Sequence, residues 1–318
     1  MELGARHHTY TLASDWAKIP AGVQLGYSHA VAVDARGRVL IFNQSKHAIA
    51  IFDRDGQWLG SWGEVFAKGA HGMFLADEGG EQFLWLVDYE LPRVAKFTLD
   101  GREVLRLPTP DHAAYPDGAG YRPTHACVAP NGDIYVFDGY GKHLIHRFSP
   151  GGRLLQAWGG TGDGPGQLSC PHGGCVVVRQ GSVPELYVAD RANVRIQVFS
   201  LDGEHRRFIT GQGLKYPCNV YAAPRGEILI ADLFGVLLVW DSADHLVAAI
   251  GGNPEIPEVG GWPKLAGYPN LPHSRRVPGT FISPHGTCVD PRTGDVYVVE
   301  WVEDGRITKL QRAVAPTA

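Results

Sequence analysis

One segment pattern recurs six times along the chain, and it constrains the fold more than any other feature. Each copy begins with a small residue or proline, usually followed by histidine, and continues through an apolar run and a polar turn. A run rich in tyrosine, valine and isoleucine then ends at Asp, Asn or Glu, and another run often closes at a glycine turn. In the first copy these parts run from His29 to Asp34, from Val39 to Asn43, and from Ile49 to Asp55-Gly56.

The copies start roughly 42 to 67 residues apart, which leaves room for four short strands in each. Units of this kind pair internally and stack on their neighbours, which is typical of propeller blades and not of a sandwich. We therefore predict an all-β fold, a six-bladed β-propeller that forms a single domain across residues 1–318. The blades are predicted to start near residues 26, 69, 122, 169, 216 and 283.

Two segments lie outside the repeated pattern. The sixth copy reaches the end of the sequence after its third strand, so its fourth strand must come from elsewhere. The segment from Tyr10 to Ile19 is the unassigned candidate, and its pairing there would remove an exposed sheet edge. The insertion at residues 251–282 is rich in proline and glycine and is too long for a tight turn, so we predict a lid over one face.

Composition narrows the partners and the compartment. Charged residues make up 19% of the chain and the formal net charge is -4, so no basic excess favours nucleic acid or an anionic membrane. A small-molecule substrate fits this balance better. No signal segment and no long apolar run is evident, which predicts a cytoplasmic protein, and the odd set of five cysteines predicts reduced thiols. The sequence leaves the oligomeric state open.

If every blade keeps the same register, the residues that open the first strands ring the mouth of the central channel. These residues are His29, His71, His125, His172, Cys218 and His285. The three histidines on alternate blades are each followed by glycine, whereas His29 and His125 are followed by alanine. Three imidazoles with near three-fold symmetry leave an open fourth position, as a catalytic zinc requires. Another transition metal, or a polar plug of histidines without metal, remains an alternative.

The second strand of each blade ends on the same face, so the residues just beyond it form an outer ring. This ring consists of Gln44, Tyr89, Tyr140, Arg191, Phe234 and Trp301. Tyr140 beside a cation suits a general base, and the guanidinium of Arg191 suits a carboxylate or a developing anion. The predicted substrate contacts are Gln44, His29, His125, Tyr89, Asn219 and Trp301. Aromatic packing for Tyr89, Phe234 and Trp301, and pairing of Arg191 with Asp190, are the structural alternatives.

Several stretches resemble the NHL-repeat propellers and, within them, the peptidyl-α-hydroxyglycine α-amidating lyase domain of peptide-amidating enzymes. They are Asp138-Gly139-Tyr140, Arg147-Phe148-Ser149-Pro150, Trp158-Gly159, Pro171-His172, Val188-Ala189-Asp190-Arg191, Arg195-Ile196-Gln197 and Pro284-His285. The resemblance spans essentially the whole chain. It implies zinc ligands at His71, His172 and His285, a catalytic tyrosine at Tyr140 and an active-site arginine at Arg191. It also implies a structural calcium in the channel, for which Asp34 is a candidate.

The resemblance further implies cleavage of a carbinolamide C–N bond, with release of an amide and an aldehyde acid. Two positions depart from the family pattern: Gln44 stands where the family has a second arginine, and Gly286 where it has an acidic residue. Loss of that arginine removes a charge that could fix a substrate carboxylate. The leading hypothesis is a zinc-dependent lyase acting on a carbinolamide-like small molecule. The alternatives are a zinc-dependent hydrolase of an amide, lactone or cyclic substrate, and a non-catalytic propeller that binds a protein or peptide.

Overall fold

A computed structural model describes residues 1–5, 8–256 and 269–313 and arranges them as six antiparallel sheets. Strand β1 spans Glu2–Ala5 and β2 spans His8–Ala13. Blade one contains β3 (Ser28–Val33), β4 (Val39–Asn43), β5 (Ile49–Phe52) and β6 (Trp58–Trp62). Blade two contains β7 (Ala70–Glu78), β8 (Glu81–Asp88), β9 (Arg93–Thr98) and β10 (Glu103–Arg106). Blade three contains β11 (His125–Val128), β12 (Ile134–Phe137), β13 (Leu144–Phe148) and β14 (Leu154–Gly159).

The remaining three blades follow the same plan. Blade four contains β15 (Pro171–Val177), β16 (Glu185–Asp190), β17 (Arg195–Ser200) and β18 (His205–Ile209). Blade five contains β19 (Pro217–Ala222), β20 (Ile228–Asp232), β21 (Val236–Trp240) and β22 (Leu246–Ile250). Blade six contains β23 (Pro284–Val289), β24 (Val296–Glu300) and β25 (Ile307–Arg312). Short 3-10 helices span Glu64–Phe66, Pro116–Gly118, Arg191–Asn193 and His273–Arg275. The predicted all-β, six-bladed propeller is confirmed.

The N-terminal segment closes the ring, as predicted. Strand β2 pairs with β25, with Tyr10 opposite Arg312, and β1 adds a fifth strand to this sheet. The closing strand begins at His8 and ends at Ala13, so it does not extend to Ile19 as predicted. The chain turns at Asp15, whose φ of 50° is left-handed, and Trp16 then enters the apolar core.

The blades are held together by apolar side chains packed between neighbouring sheets. Phe42 of blade one meets Phe66, with ring centroids 5.4 Å apart, and Phe66 meets Phe97 of blade two at 5.6 Å. The first strands of neighbouring blades contact one another, so they surround the central channel. This stacking sets where the first-strand side chains lie.

In five of the six blades, the polar residue at the end of the second strand anchors the loop leading into its own blade. Asp138 accepts hydrogen bonds from the backbone N–H of Arg122 and the hydroxyl of Tyr115, both at 2.7 Å. Asp190 accepts from the backbone N–H of Ser169 at 2.6 Å. These bonds fix the height of each loop at the channel mouth.

The predicted lid is described only at its two ends. Ile256, Leu271 and Ile282 are buried against Leu233 and Val302, so these ends pack on the propeller. The middle of the insertion, residues 257–268, lies outside the described residues. In the part of the chain that the structure describes, all helices are too short to cross a membrane.

Candidate metal centre and active site

The first strands bring one side chain from each blade to a common level at the mouth of the channel. In five of the blades, the ladder between the first two strands shifts register at this residue. The six positions are held by His29, His71, Thr124, His172, Cys218 and His285.

Blade three differs from the predicted ring, because the pairing of its first strand with its second strand continues without a register shift. His125 pairs with Phe137, and in blade five Asn219 pairs with Ala231. Phe137 and Ala231 each directly precede an aspartate, so His125 and Asn219 occupy equivalent positions. Thr124 therefore takes the ring position, and the prediction that His125 lies in the ring is wrong by one residue. His125 and Asn219 line the channel beneath the ring, where a cavity of about 290 Å³ continues.

The three predicted ligands are buried and form a nearly equilateral triangle. The ring centroids lie 4.7 Å apart for His71 and His172, 4.9 Å for His172 and His285, and 5.0 Å for His71 and His285. Burial lowers the pKa of all three imidazoles, to about 3 for His285. The rings are therefore neutral at neutral pH, which is the form that binds a metal.

Each of these imidazoles donates one N–H to a backbone carbonyl of the next blade. His71 Nδ1 lies 2.6 Å from the carbonyl oxygen of Thr124, His172 Nδ1 2.8 Å from that of Cys218, and His285 Nδ1 2.9 Å from that of His29. A carbonyl oxygen only accepts, so Nδ1 carries the proton and Nε2 keeps its lone pair. Ligating histidines commonly have their second nitrogen fixed in this way.

The glycine after each of these histidines has a steric reason. A Cβ at Gly72 would lie 2.6 Å from the carbonyl oxygen of Thr124, and one at Gly286 2.6 Å from that of His29. At Gly173 it would lie 2.7 Å from that of Cys218. The oxygen obstructed in each case is the one that orients the preceding imidazole. The His-Gly pairs on alternate blades therefore build the triangle, because only glycine lets the strands approach closely enough.

The hydroxyl of Tyr140 lies between two of these Nε2 atoms. It is 3.1 Å from His71 Nε2 and 3.0 Å from His172 Nε2. Burial raises the pKa of this phenol, and the Arg191 guanidinium, 5.6 Å from the ring centroid, partly opposes that rise. The predicted tyrosine and two of the predicted ligands thus share one hydrogen-bonded cluster.

Arg191 places a cation beside that cluster. Its side chain is buried, with 9% exposed, and its terminal nitrogens contact the sulfurs of Cys170 at 3.2 Å and Cys218 at 3.8 Å. The alternative pairing with Asp190 is not observed, since Asp190 binds the Nε–H of Arg195 at 2.6 Å. Within the described residues, the Arg191 guanidinium has no carboxylate partner, so it is suited to an anionic ligand.

A cavity of about 720 Å³ lies above the histidines, and Tyr89, Tyr140, Arg191 and Trp301 line it as predicted. The Gln44 side chain contacts two residues of this wall: its amide donates to the hydroxyl of Tyr89 at 3.3 Å, and it interacts with the ring of His29.

Leu233 lines the cavity where Phe234 was predicted, and Phe234 packs beside Tyr216. Sequence reasoning missed Arg122, Cys170 and Tyr216, which also line the cavity. Each directly precedes a proline that stands at the start of a first strand or two residues before it, and this repeated X-Pro step could have identified them.

Two groups of side chains within the described residues could hold a metal ion, since their donor atoms lie within 4.8 Å of one another. They are His29, His71 and His285, and His172, Cys218 and His285. The predicted ligands all belong to one or both groups. Asp34, the calcium candidate, sits at the turn after β3 and accepts bonds from Arg36 and Arg38. Calcium there stays a prediction.

Comparison with known proteins shows what the chain resembles. No protein-family profile matches it. It is 30% identical over 311 residues to human NHL repeat-containing protein 3, covering 92% of this chain and 81% of that protein. It is also 30% identical over 235 residues to peptidyl-alpha-hydroxyglycine alpha-amidating lyase 1 of Drosophila melanogaster, covering 62% of this chain and 42% of that protein. The rat peptidylglycine alpha-amidating monooxygenase is 28% identical over 222 residues, 59% of this chain and 22% of that protein.

Solved structures support the fold. A streptogramin B lyase structure superposes with a TM-score of 0.62, covering 98% of this chain and 99% of that chain at 13% identity. That likeness concerns the propeller architecture alone. The identity and coverage shared with the human relative show that this chain belongs to the NHL repeat-containing protein 3 family.

Proposed function

We propose that this chain is a zinc-dependent lyase that cleaves the C–N bond of a carbinolamide-like small molecule. One observation carries the proposal. Three buried neutral histidines on alternate blades each have Nδ1 committed to a carbonyl, and two of the remaining nitrogens meet the hydroxyl of Tyr140. A tri-histidine set with an open position suits catalytic zinc better than structural zinc.

The named relatives favour lyase chemistry over other uses of a propeller. Several of these relatives are named as alpha-amidating lyases or alpha-amidating monooxygenases. Their similarity extends over more than half of this chain. This chain spans less than half the length of those proteins. Their activity is therefore the starting hypothesis for the reaction, and its substrate here remains to be measured.

When bound, zinc would supply a Lewis acid that stabilises negative charge on the substrate oxygen. The chain's own residues would do the rest. To take the proton of the substrate hydroxyl, Tyr140 must first be ionised, and a cation held by His71 and His172 beside its oxygen would lower its pKa against the rise caused by burial. Arg191 would hold a substrate carboxylate or the developing negative charge. As the C=O bond forms, the C–N bond breaks and the nitrogen gains a proton. The amide and the aldehyde together contain all atoms of the substrate.

The shape of the cavity suggests which part of a substrate is recognised. Tyr89, Tyr216 and Trp301 provide aromatic walls, and Arg122 pairs with Glu90 at the rim, with N–O 3.0 Å. Such a mouth suits an acyl or aromatic group extending away from the reacting carbon. Gln44 carries no charge, so Arg191 is the buried cation available to a substrate carboxylate.

A product assay tests the reaction. Zinc-loaded protein is incubated with N-benzoyl-α-hydroxyglycine, and the products are resolved by liquid chromatography with mass detection. The lyase proposal predicts benzamide and glyoxylate. Benzoic acid carrying solvent oxygen would instead support the hydrolase alternative. If neither forms across a panel of carbinolamides and hydrolysable amides, although zinc is bound, the catalytic proposal fails and a binding propeller takes its place. The cytoplasmic location and the small-molecule partner stay predictions.

A further inference from the structure

We propose that His29 is a fourth metal-binding imidazole, so that four histidines surround the metal. This inference rests on the proposed metal site and adds a ligand that the alternate-blade pattern does not contain. His29 belongs to blade one, between the blades that carry His285 and His71. Its ring centroid lies 4.3 Å from that of His285 and 4.6 Å from that of His71.

The hydrogen bond between His29 and His285 has a defined direction. His285 gives its Nδ1 proton to the carbonyl oxygen of His29 at 2.9 Å, so its Nε2 can only accept. His29 Nδ1 lies 3.2 Å from that Nε2 and therefore donates to it. His29 thus holds the position on His285 that a metal ion would take.

The other ring nitrogen of His29, Nε2, also supports metal binding. The side chain is 3% exposed, and its Nε2 makes no hydrogen bond of good geometry among residues 1–5, 8–256 and 269–313, although the Gln44 side chain is close enough to interact with the His29 ring. By elimination of the tautomer, this nitrogen carries a lone pair. Leaving a buried acceptor unpaired costs free energy, so such an atom usually marks a missing ligand or water. The His29 side chain is also one of those that line the cavity above the histidines.

Metal binding at His285 would change the partners of His29. The single lone pair on His285 Nε2 can serve the metal or the N–H of His29, but not both. His29 then loses its acceptor while remaining beside His71 and His285, and a shift of its proton from Nδ1 to Nε2 would leave a lone pair on Nδ1, the nitrogen that faces His285. The donor atoms of these three residues already lie within 4.8 Å of one another, and the ion itself is the new partner at hand.

Cys218 is the competing candidate for a fourth ligand, and its sulfur is closer to the His172 nitrogen that donates to a carbonyl than to the nitrogen that would bind a metal. Its sulfur is 3.2 Å from His172 Nδ1 but 3.8 Å from His172 Nε2, the metal-facing nitrogen. The sulfur also accepts from Arg191. His29 instead approaches the metal-facing nitrogen of its neighbour.

Four neutral imidazoles would alter the centre in two ways. The metal keeps its full positive charge, because no anionic ligand neutralises it. His29 would occupy, in the resting site, the position that His71, His172 and His285 leave open, so a substrate would have to displace His29 or expand the coordination to five. His29 would thereby exclude water from the metal until a substrate arrives.

The test counts imidazoles on the metal in the intact chain. Wild-type protein is loaded with Co²⁺ or Cu²⁺, and the ligand number is measured by X-ray absorption and by pulsed electron paramagnetic resonance. The proposal predicts four imidazoles, and three would overturn it. This measurement needs no variant and so does not depend on how any substitution folds.

A pair of variants gives a second readout. His29→Ala should weaken Co²⁺ binding at least about tenfold in chelator competition and change the visible absorption of the cobalt. The matched control is His125→Ala, which removes the imidazole that lies next to the ring position of Thr124. This variant should leave the Co²⁺ affinity and the visible absorption unchanged. Equal affinity and spectrum in His29→Ala would refute the fourth ligand while leaving the three-histidine site intact. If wild-type protein binds no metal at all, the proposed function fails together with this inference.

Discussion

At the scale of single residues, the backbone of each neighbouring blade determines the chemistry of the histidines. The carbonyls of His29, Thr124 and Cys218 accept the Nδ1 protons, so Nε2 keeps its lone pair in each of the three histidines. The sequence indicates the histidines through the glycine that follows each one. It does not indicate the acceptors, because a backbone carbonyl has no residue identity.

Gly173→Ala tests this arrangement. The added Cβ would lie 2.7 Å from the carbonyl oxygen of Cys218, which is the acceptor for His172. We expect metal affinity to fall about tenfold or more and stability to fall by about 1–3 kcal/mol. Chelator competition and thermal unfolding measure the two effects. Gly151→Ala is the control, because nothing lies within 4 Å of its Cβ; equal metal affinity in both variants would argue against the steric account.

Tyr140→Phe tests the proposed base. The ring and its packing remain, while the hydroxyl that contacts His71 and His172 is lost. We expect metal content to be unchanged and turnover to fall by about 10²–10⁴-fold. Tyr135→Phe, on the same blade but bonded to the carbonyl of Leu201, should keep its turnover. Full activity of Tyr140→Phe would exclude the tyrosine as the base.

At the scale of strands, register decided what could be predicted. The repeat predicts the blades and the histidines on alternate blades. It also places His125 in the ring, whereas Thr124, the residue before it, holds that position. Alignment of Pro123 with Pro171 and Pro284 would have put Thr124 in the ring. A ladder shift depends on pairing between strands, so residue types along one strand do not specify it.

Strand β13 carries a buried histidine that predicts acid sensitivity. His146 is fully buried, both ring nitrogens lack partners among the described residues, and it packs against Tyr115 and Tyr121. Burial, with a smaller contribution from His112, lowers its pKa to about 3. The unfolded chain therefore binds a proton below about pH 6.5 that the folded chain does not, and stability falls as pH falls.

His146→Phe removes that titration. Between about pH 7.5 and pH 5 we expect the wild-type chain to lose about 2 kcal/mol more stability than the variant. Denaturant unfolding at the two pH values gives the comparison. An identical pH dependence in both proteins would show that the pKa of His146 is not lowered in the folded chain.

At the scale of the whole molecule, the fold depends on closure between β2 and β25. Tyr10 is buried in that closure, and β25 without β2 would present an open edge. Because the sixth repeat lacks a fourth strand, the sequence predicted this closure, although not the added β1. The lid prediction depended on a proline- and glycine-rich segment with no repeat to compare it with.

Two N-terminal deletions test the closure. Deletion of residues 1–13 removes β1 and β2, whereas deletion of residues 1–5 removes β1 alone. We expect the longer deletion to cost at least about 3 kcal/mol more, since it exposes Tyr10's partners and the β25 edge. Thermal unfolding and light scattering would report lower stability and association. Equal behaviour of the two deletions would mean that β2 contributes little to the ring.

The central claim is that His71, His172 and His285 hold one metal ion at the mouth of the propeller. Metal content of untagged protein, measured by plasma mass spectrometry, tests it most directly. We predict about one transition metal per chain in the wild type, lost in His71→Ala, His172→Ala and His285→Ala while circular dichroism shows the fold retained. Wild-type protein that stays metal-free after zinc is offered would contradict the account.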